Sequence, residues 1–228
     1  DVVTRAIANV GDINKDGIDD LLVGYPLSAM CFLYYGKEDW TNVPVKSVLY
    51  GGSAQGRLGW AVAGIGDMNK DGFKDVIVSD PYDGVCYIIN GQAQLPTAMQ
   101  TSQVGSIVDG FKIVGSTTAS DNFVAFGVAV SSAGDMNSDG YNDVVISGLT
   151  MNSLSVVYII YGSSNQTDII LDSSLKIDPM RGFRVVGSSL SFTGFSLASI
   201  GDINADGFDD IAMNSMIYSS STTSFTRE

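Results

Sequence analysis

Short apolar runs recur along the chain, separated by polar, glycine-rich breaks. The clearest series occupies residues 58–63, 75–79, 85–89 and 111–115. These runs are short and rich in Val, Ile and Tyr, so they predict β-strands rather than amphipathic helices. Val76-Ile77-Val78 is apolar without alternation, which implies cover on both faces of its sheet. The series repeats at 126–130, 143–146, 156–160 and 183–187, and precedes itself at 5–8, 21–24, 31–35 and 47–50. A fourth series opens at 195–198 and 209–213, then gives way to the low-complexity stretch Ser219 to Ser224, which does not read as a core strand. Four antiparallel strands per unit describe one propeller blade. The expected fold is therefore all-β, a propeller-like array of about three and a half blades. It forms a single repeat domain with units near 1–56, 57–122, 123–191 and 192–228. Units two and three are longer between their third and fourth strands, around 92–107 and 163–178. Those stretches read as solvated linkers where a binding surface could vary.

Between the first and second strands of every unit lies one nine-residue pattern, D-h-N-x-D-G-h-x-D, where h is apolar. The copies are DINKDGIDD, DMNKDGFKD, DMNSDGYND and DINADGFDD, starting at Asp12, Asp67, Asp135 and Asp202, and each follows a Gly. Oxygen-bearing side chains at positions 1, 3, 5 and 9 suit a hard cation such as Ca²⁺, which takes six to eight oxygens at ~2.3–2.6 Å. The Gly at position 6 permits the sharp reversal. Position 7 can offer its backbone carbonyl, leaving its side chain to anchor the loop in the core. The candidate ligands are thus Asp12, Asn14, Asp16, Ile18 and Asp20; Asp67, Asn69, Asp71, Phe73 and Asp75; Asp135, Asn137, Asp139, Tyr141 and Asp143; and Asp202, Asn204, Asp206, Phe208 and Asp210. An EF-hand begins similarly but needs a bidentate Glu at position 12 and a following helix. Here position 12 is Val23, Val78, Ile146 or Met213. A single copy could be an Asp-Gly hairpin turn with no ion. Four copies with three carboxylates each exceed what a turn requires.

The net charge is −13, from 25 acidic and 12 basic residues among 228. Twelve of those acids are candidate ligands in the four loops, so the acidity is concentrated in the candidate sites, and no basic face invites nucleic acid. There is no His, which excludes Ser-His and Cys-His nucleophile pairs. No run approaches the ~20 apolar residues of a membrane span. The chain starts at Asp1 without an initiator Met, as expected of a processed protein or a piece of a longer one. Cys31 and Cys86 occupy the same position in successive repeats. Packed sheets lie ~10 Å apart, whereas a disulfide needs Cα atoms within ~7 Å, so two buried free thiols are expected and a bridge is the alternative. Asn165-Gln166-Thr167 is a glycosylation sequon in an expected loop.

These residues resemble the FG-GAP repeats of the integrin α-subunit β-propeller. In that family a Phe-Gly pair precedes a calcium loop, and Gly-Ala-Pro follows the next strand. Phe126-Gly127 matches the pair, while Leu58-Gly59 and Thr193-Gly194 keep its Gly and Val3-Thr4 lacks it. Val23-Gly24-Tyr25-Pro26 stands in for Gly-Ala-Pro, Ser79-Asp80-Pro81 keeps the Pro, and Ser147-Gly148-Leu149 and Asn214-Ser215-Met216 depart further. Family propellers have seven blades, and this sequence holds fewer than four. The resemblance implies calcium on blade loops and a role outside the cell, in adhesion or protein interaction. The expected protein is a non-enzymatic extracellular or cell-surface module rigidified by four Ca²⁺. Its expected partners are proteins or further copies of itself, with neither nucleic acid nor direct membrane insertion. Acidic loops of this kind suit the weak, ~10⁻⁴–10⁻³ M sites of extracellular modules. The alternatives are the propeller portion of a larger receptor or hydrolase, and a filament subunit whose open end is completed head-to-tail by a neighbour's strand.

Overall fold

A computed structural model describes residues 4–39, 41, 47–53, 56–115, 123–150, 154–171, 176–188 and 191–217. Val3 and the stretch Ser219 to Ser224 lie outside them.

The strands are β1 (Ala6–Gly11), β2 (Asp20–Tyr25), β3 (Met30–Tyr34), β4 (Ser47–Tyr50), β5 (Val62–Gly66), β6 (Asp75–Asp80), β7 (Val85–Ile89), β8 (Ala98–Gln100), β9 (Gly110–Val114), β10 (Phe123–Gly134), β11 (Asp143–Thr150), β12 (Ser155–Ile160), β13 (Ile169–Ile170), β14 (Gly182–Val186), β15 (Ser191–Gly201) and β16 (Asp210–Ile217). They form four sheets, ordered β1-β2-β3-β4-β8, β5-β6-β7-β9-β13, β10-β11-β12-β14 and β15-β16. The fold is all-β and blade-like: three antiparallel four-stranded meanders and a two-stranded fourth sheet among the described residues. The first strands of successive sheets pack on one another, β1 on β5, β5 on β10 and β10 on β15.

The cores lie between sheets. Ile13, Leu22, Leu33 and Leu49 of the first sheet meet Val62, Val76, Val78 and Ile89 of the second in one cluster. Ile77, Ile88 and Ile113 meet Phe126, Ile146 and Tyr158 in the next. A middle strand is therefore covered on both faces, and all six residues of β6 and of β12 are buried. Apolar runs without alternation follow from that double cover.

Two expectations need correction. The stretches 92–107 and 163–178 are not solvated linkers. Each turns back and adds a strand, in parallel, to the outer edge of the preceding sheet: β8 on β4 and β13 on β9. Leu95, Met99, Val104 and Val108 are buried in doing so, as are Ile169 and Leu171. Covering an outer strand's unpaired N–H and C=O groups removes an exposed edge. The run at 58–63 also begins as a turn, with β5 starting only at Val62, because Gly59 has φ +85° and its Cα is pressed against the first sheet.

That pressing is the blade-to-blade contact. A Cβ at Gly24 would overlap the Gly59 carbonyl, and one at Gly59 would lie 2.8 Å from Cys31 Sγ. Gly127 stands in the same relation to Ser79 and Cys86, and Gly194 to Ser147 and Val157. Cys31 and Cys86 are free and buried, and burial pushes both thiols up.

Candidate metal centre

Each nine-residue loop joins the first strand of its sheet to the second and has one repeated backbone shape. The Gly before it has φ between +67° and +78° in all four copies. The residue at position 4 (Lys15, Lys70, Ser138 or Ala205) is left-handed, with φ between +57° and +60°, and the Gly at position 6 has φ between +83° and +92°. Three left-handed residues per loop curl the chain until its acids face its own amides. In the first copy Asp12 Oδ1 accepts from the Asp16 amide at 3.0 Å and Oδ2 from the Gly17 amide at 2.8 Å. Asp16 accepts from the Ile18 amide and from Asn14 Nδ2. The third and fourth copies repeat these bonds with Asp135 and Asp139, and with Asp202 and Asp206. Positions 1, 3 and 5 are thus gathered by one local network in which carboxylate and amide oxygens are the acceptors.

The ninth residue has a different task. Asp75 is fully buried and accepts from the Met68 amide at 2.7 Å and the Gly91 amide at 2.9 Å. Asp20 does the same with Ile13 and Gly36, and Asp143 with Met136 and Gly162. It therefore ties the loop's second residue to the end of the third strand. Desolvation raises Asp75 and Asp143 to about 7, against the pull of those amide bonds. Asp210 keeps only the bond from the Ile203 amide among the described residues. In the first two copies this arrangement corrects the anchor: position 2, not position 7, enters the core, while Met136 of the third copy is half-buried. Ile13 and Met68 are buried, whereas Ile18, Phe73 and Tyr141 are half-buried. In the fourth copy Ile203 is 74% exposed and Phe208 45%.

Among the described residues no three metal-binding side chains converge on one point; the loop oxygens are turned to backbone amides. One oxygen is left over. Asp67 Oδ1 is buried without a hydrogen-bond partner, where Asp12, Asp135 and Asp202 each accept from the amide at position 5. A buried carboxylate oxygen with no donor wants a cation or a water, and an all-oxygen donor set suits Ca²⁺.

The loops also touch one another, which spacing along the chain did not reveal. The Asp67 amide donates to Asn142 Oδ1 and the Asn142 amide to the Asp67 carbonyl. Asp135 and Asp209 repeat this pair. Lys70 Nζ donates to the Asp139 carbonyl at 2.8 Å and lies 4.0 Å from the Tyr141 ring centre, and Lys15 Nζ lies 4.1 Å from that of Phe73. The loops thus form a linked row along one face. The sequon is elsewhere: Asn165 is exposed, and the Thr167 hydroxyl accepts from Arg181 at 3.1 Å.

Comparison with known proteins agrees with this architecture. Residues 12–78 match the model of the FG-GAP-like repeat. That stretch is FG-GAP-like, and the chain as a whole is similar to integrin α subunits. The chain is 28% identical to integrin alpha pat-2 of Caenorhabditis elegans over 89% of its own length and 17% of the relative's. It is 28% identical to Xenopus laevis integrin alpha-4, over 73% of the chain and 16% of the relative. It is 30% identical to Gallus gallus integrin alpha-6, over 64% of the chain and 13% of the relative. The chain thus spans less than a fifth of the length of these curated relatives.

Proposed function

We propose that the chain is a non-enzymatic, calcium-stabilised adhesion module of the cell surface or extracellular space, acting through a protein partner. The observation that carries the calcium reading is the fourfold recurrence of one strained loop around Asp and Asn oxygens, with a donorless buried oxygen on Asp67. Asp12, Asn14, Asp16 and Asp20, with the Ile18 carbonyl, would hold one ion, and the matching residues of the other loops one each. The adhesion and location readings rest on likeness to integrin α relatives. No described helix is long and apolar enough to cross a membrane. Asn165, exposed on the 163–178 stretch, is the proposed glycosylation position.

Bound ions stabilise by RT ln(1 + [L]/Kd) per site. Millimolar Ca²⁺ should therefore raise the melting temperature by several degrees over chelator-treated protein, and isothermal titration should count four sites. An unchanged melting curve would sink the calcium reading.

A further inference from the structure

The eighth residue of each loop lies between two candidate ligands, the carbonyl of position 7 and the carboxylate of position 9. At two of the three joints between loops it grips the loop before its own. Asn142 Oδ1 accepts from the Asp67 amide at 2.9 Å, while the Asn142 amide donates to the Asp67 carbonyl at 3.2 Å. Asp209 Oδ2 accepts from the Asp135 amide at 2.7 Å, while the Asp209 amide donates to the Asp135 carbonyl at 3.1 Å. Asp67 and Asp135 are the first candidate ligands of their loops. Each joint therefore ties the backbone of one loop's first ligand to the residue between the last two ligands of the next. The approach passes over bare glycine: a Cβ at Gly66 would strike the Asn142 amide group, and one at Gly134 the Asp209 carboxylate.

The joint between the first two loops is built differently. Position 8 of the second loop is Lys74, whose stem crosses Gly11 at 3.3 Å from where a Cβ would stand. An ammonium carries donors and no acceptor, so Lys74 cannot receive the Asp12 amide. Neither bond of the other two joints forms between Lys74 and Asp12. Lys15 reaches across this joint, but it meets the Phe73 ring and not the backbone of a first ligand.

The structure assigns Asn142 and Asp209 as positioning residues that couple the second, third and fourth loops in binding Ca²⁺, and it leaves the first loop to fill on its own. This inference rests on the calcium reading proposed above. An empty loop crowds three carboxylates whose mutual repulsion favours opening. Both bonds of a joint hold only while the two loops that it joins are curled. A loop relieved of its repulsion keeps its joint closed and so favours the curled form of its neighbour, and coupling of this kind is reciprocal. The second loop depends on its joint most. Asp67 Oδ1 is buried without a donor, so its own loop gives that first ligand one bond fewer than the other loops give theirs.

Each loop carries its own reporter, because the amides of Gly17, Gly72, Gly140 and Gly207 each donate to the first Asp of their loop. The test follows these four amides by NMR while the chelator-treated chain is titrated with Ca²⁺. The Gly72, Gly140 and Gly207 signals should move together along one curve steeper than a single site gives, and Gly17 along a simple curve of its own. Asn142→Ala should detach Gly72 from the shared curve and raise the Ca²⁺ that half-fills its loop about fivefold, as expected for one net hydrogen bond. Asn142→Asp keeps an acceptor, as Asp209 does, and should restore the shared curve. An unchanged Gly17 curve in both variants shows that they are folded. Four independent curves in the parent, Gly17 joining the shared curve, or no separation in Asn142→Ala would each overturn the coupling and leave the calcium reading standing. No signal moving at millimolar Ca²⁺ would overturn the calcium reading and the coupling with it.

Discussion

At the scale of single residues, Gly17 and Gly24 do different work. Gly17 has φ +90° with nothing near an added Cβ. Gly24→Ala would instead drive a methyl into the Gly59 carbonyl on the neighbouring sheet. Gly17→Ala should therefore cost only the left-handed penalty, about 1–2 kcal/mol, and Gly24→Ala about 3 kcal/mol or more, because backbone cannot swing aside. Chemical denaturation of the two variants checks the order; equal losses would mean that the sheets slide apart easily. Much at this scale could be read in the sequence, since D-h-N-x-D-G-h-x-D is written in side chains. What could not be read was the inward turn of Ile13 and Met68. Positions 2 and 7 are both apolar, and Ile13 and Met68 are buried because a neighbouring sheet's cluster receives them.

At the scale of elements, the meanders were legible because their Val and Ile runs are dense. The back-pairing strands β8 and β13 were not. Three residues and two residues carry no periodic signal, and the apolar residues around β8 (Leu95, Met99, Val104 and Val108) are spread through polar sequence. Their spacing was the one available hint that the stretch is buried. Met99 is 3% exposed and packs in the cluster shared by the first two sheets. Met99→Ala should cost about 2–4 kcal/mol. Hydrogen exchange should also speed up at Val48, whose amide donates to the Thr97 carbonyl, while β11 and β12 keep their protection. Uniform acceleration over all sheets would show that the seam has no local stability of its own.

At the scale of the whole molecule, the linked row of loops makes calcium a collective matter. Lys70 brings an ammonium to the third loop. Without Ca²⁺ it offsets crowded acids there, by about 1 kcal/mol for a solvated pair at 4 Å. With Ca²⁺ it opposes the ion. Lys70→Ala should lower the melting temperature of the chelator-treated protein and enlarge the shift that Ca²⁺ produces. A variant that melts like the parent in both conditions would mean the loops act alone. The pairing of β4 with β8 and of β9 with β13 has a further consequence, which belongs to biosynthesis. Each of the first two sheets is finished by the unit that follows it. On a ribosome the first sheet stays open until Gln100 has emerged, although its own last strand ended at Tyr50, and the second waits for Ile170 although its own ended at Val114. Over these two sheets the nascent chain therefore trails one unsealed edge, closed by the next stretch to appear, and this part of the array assembles in a single direction.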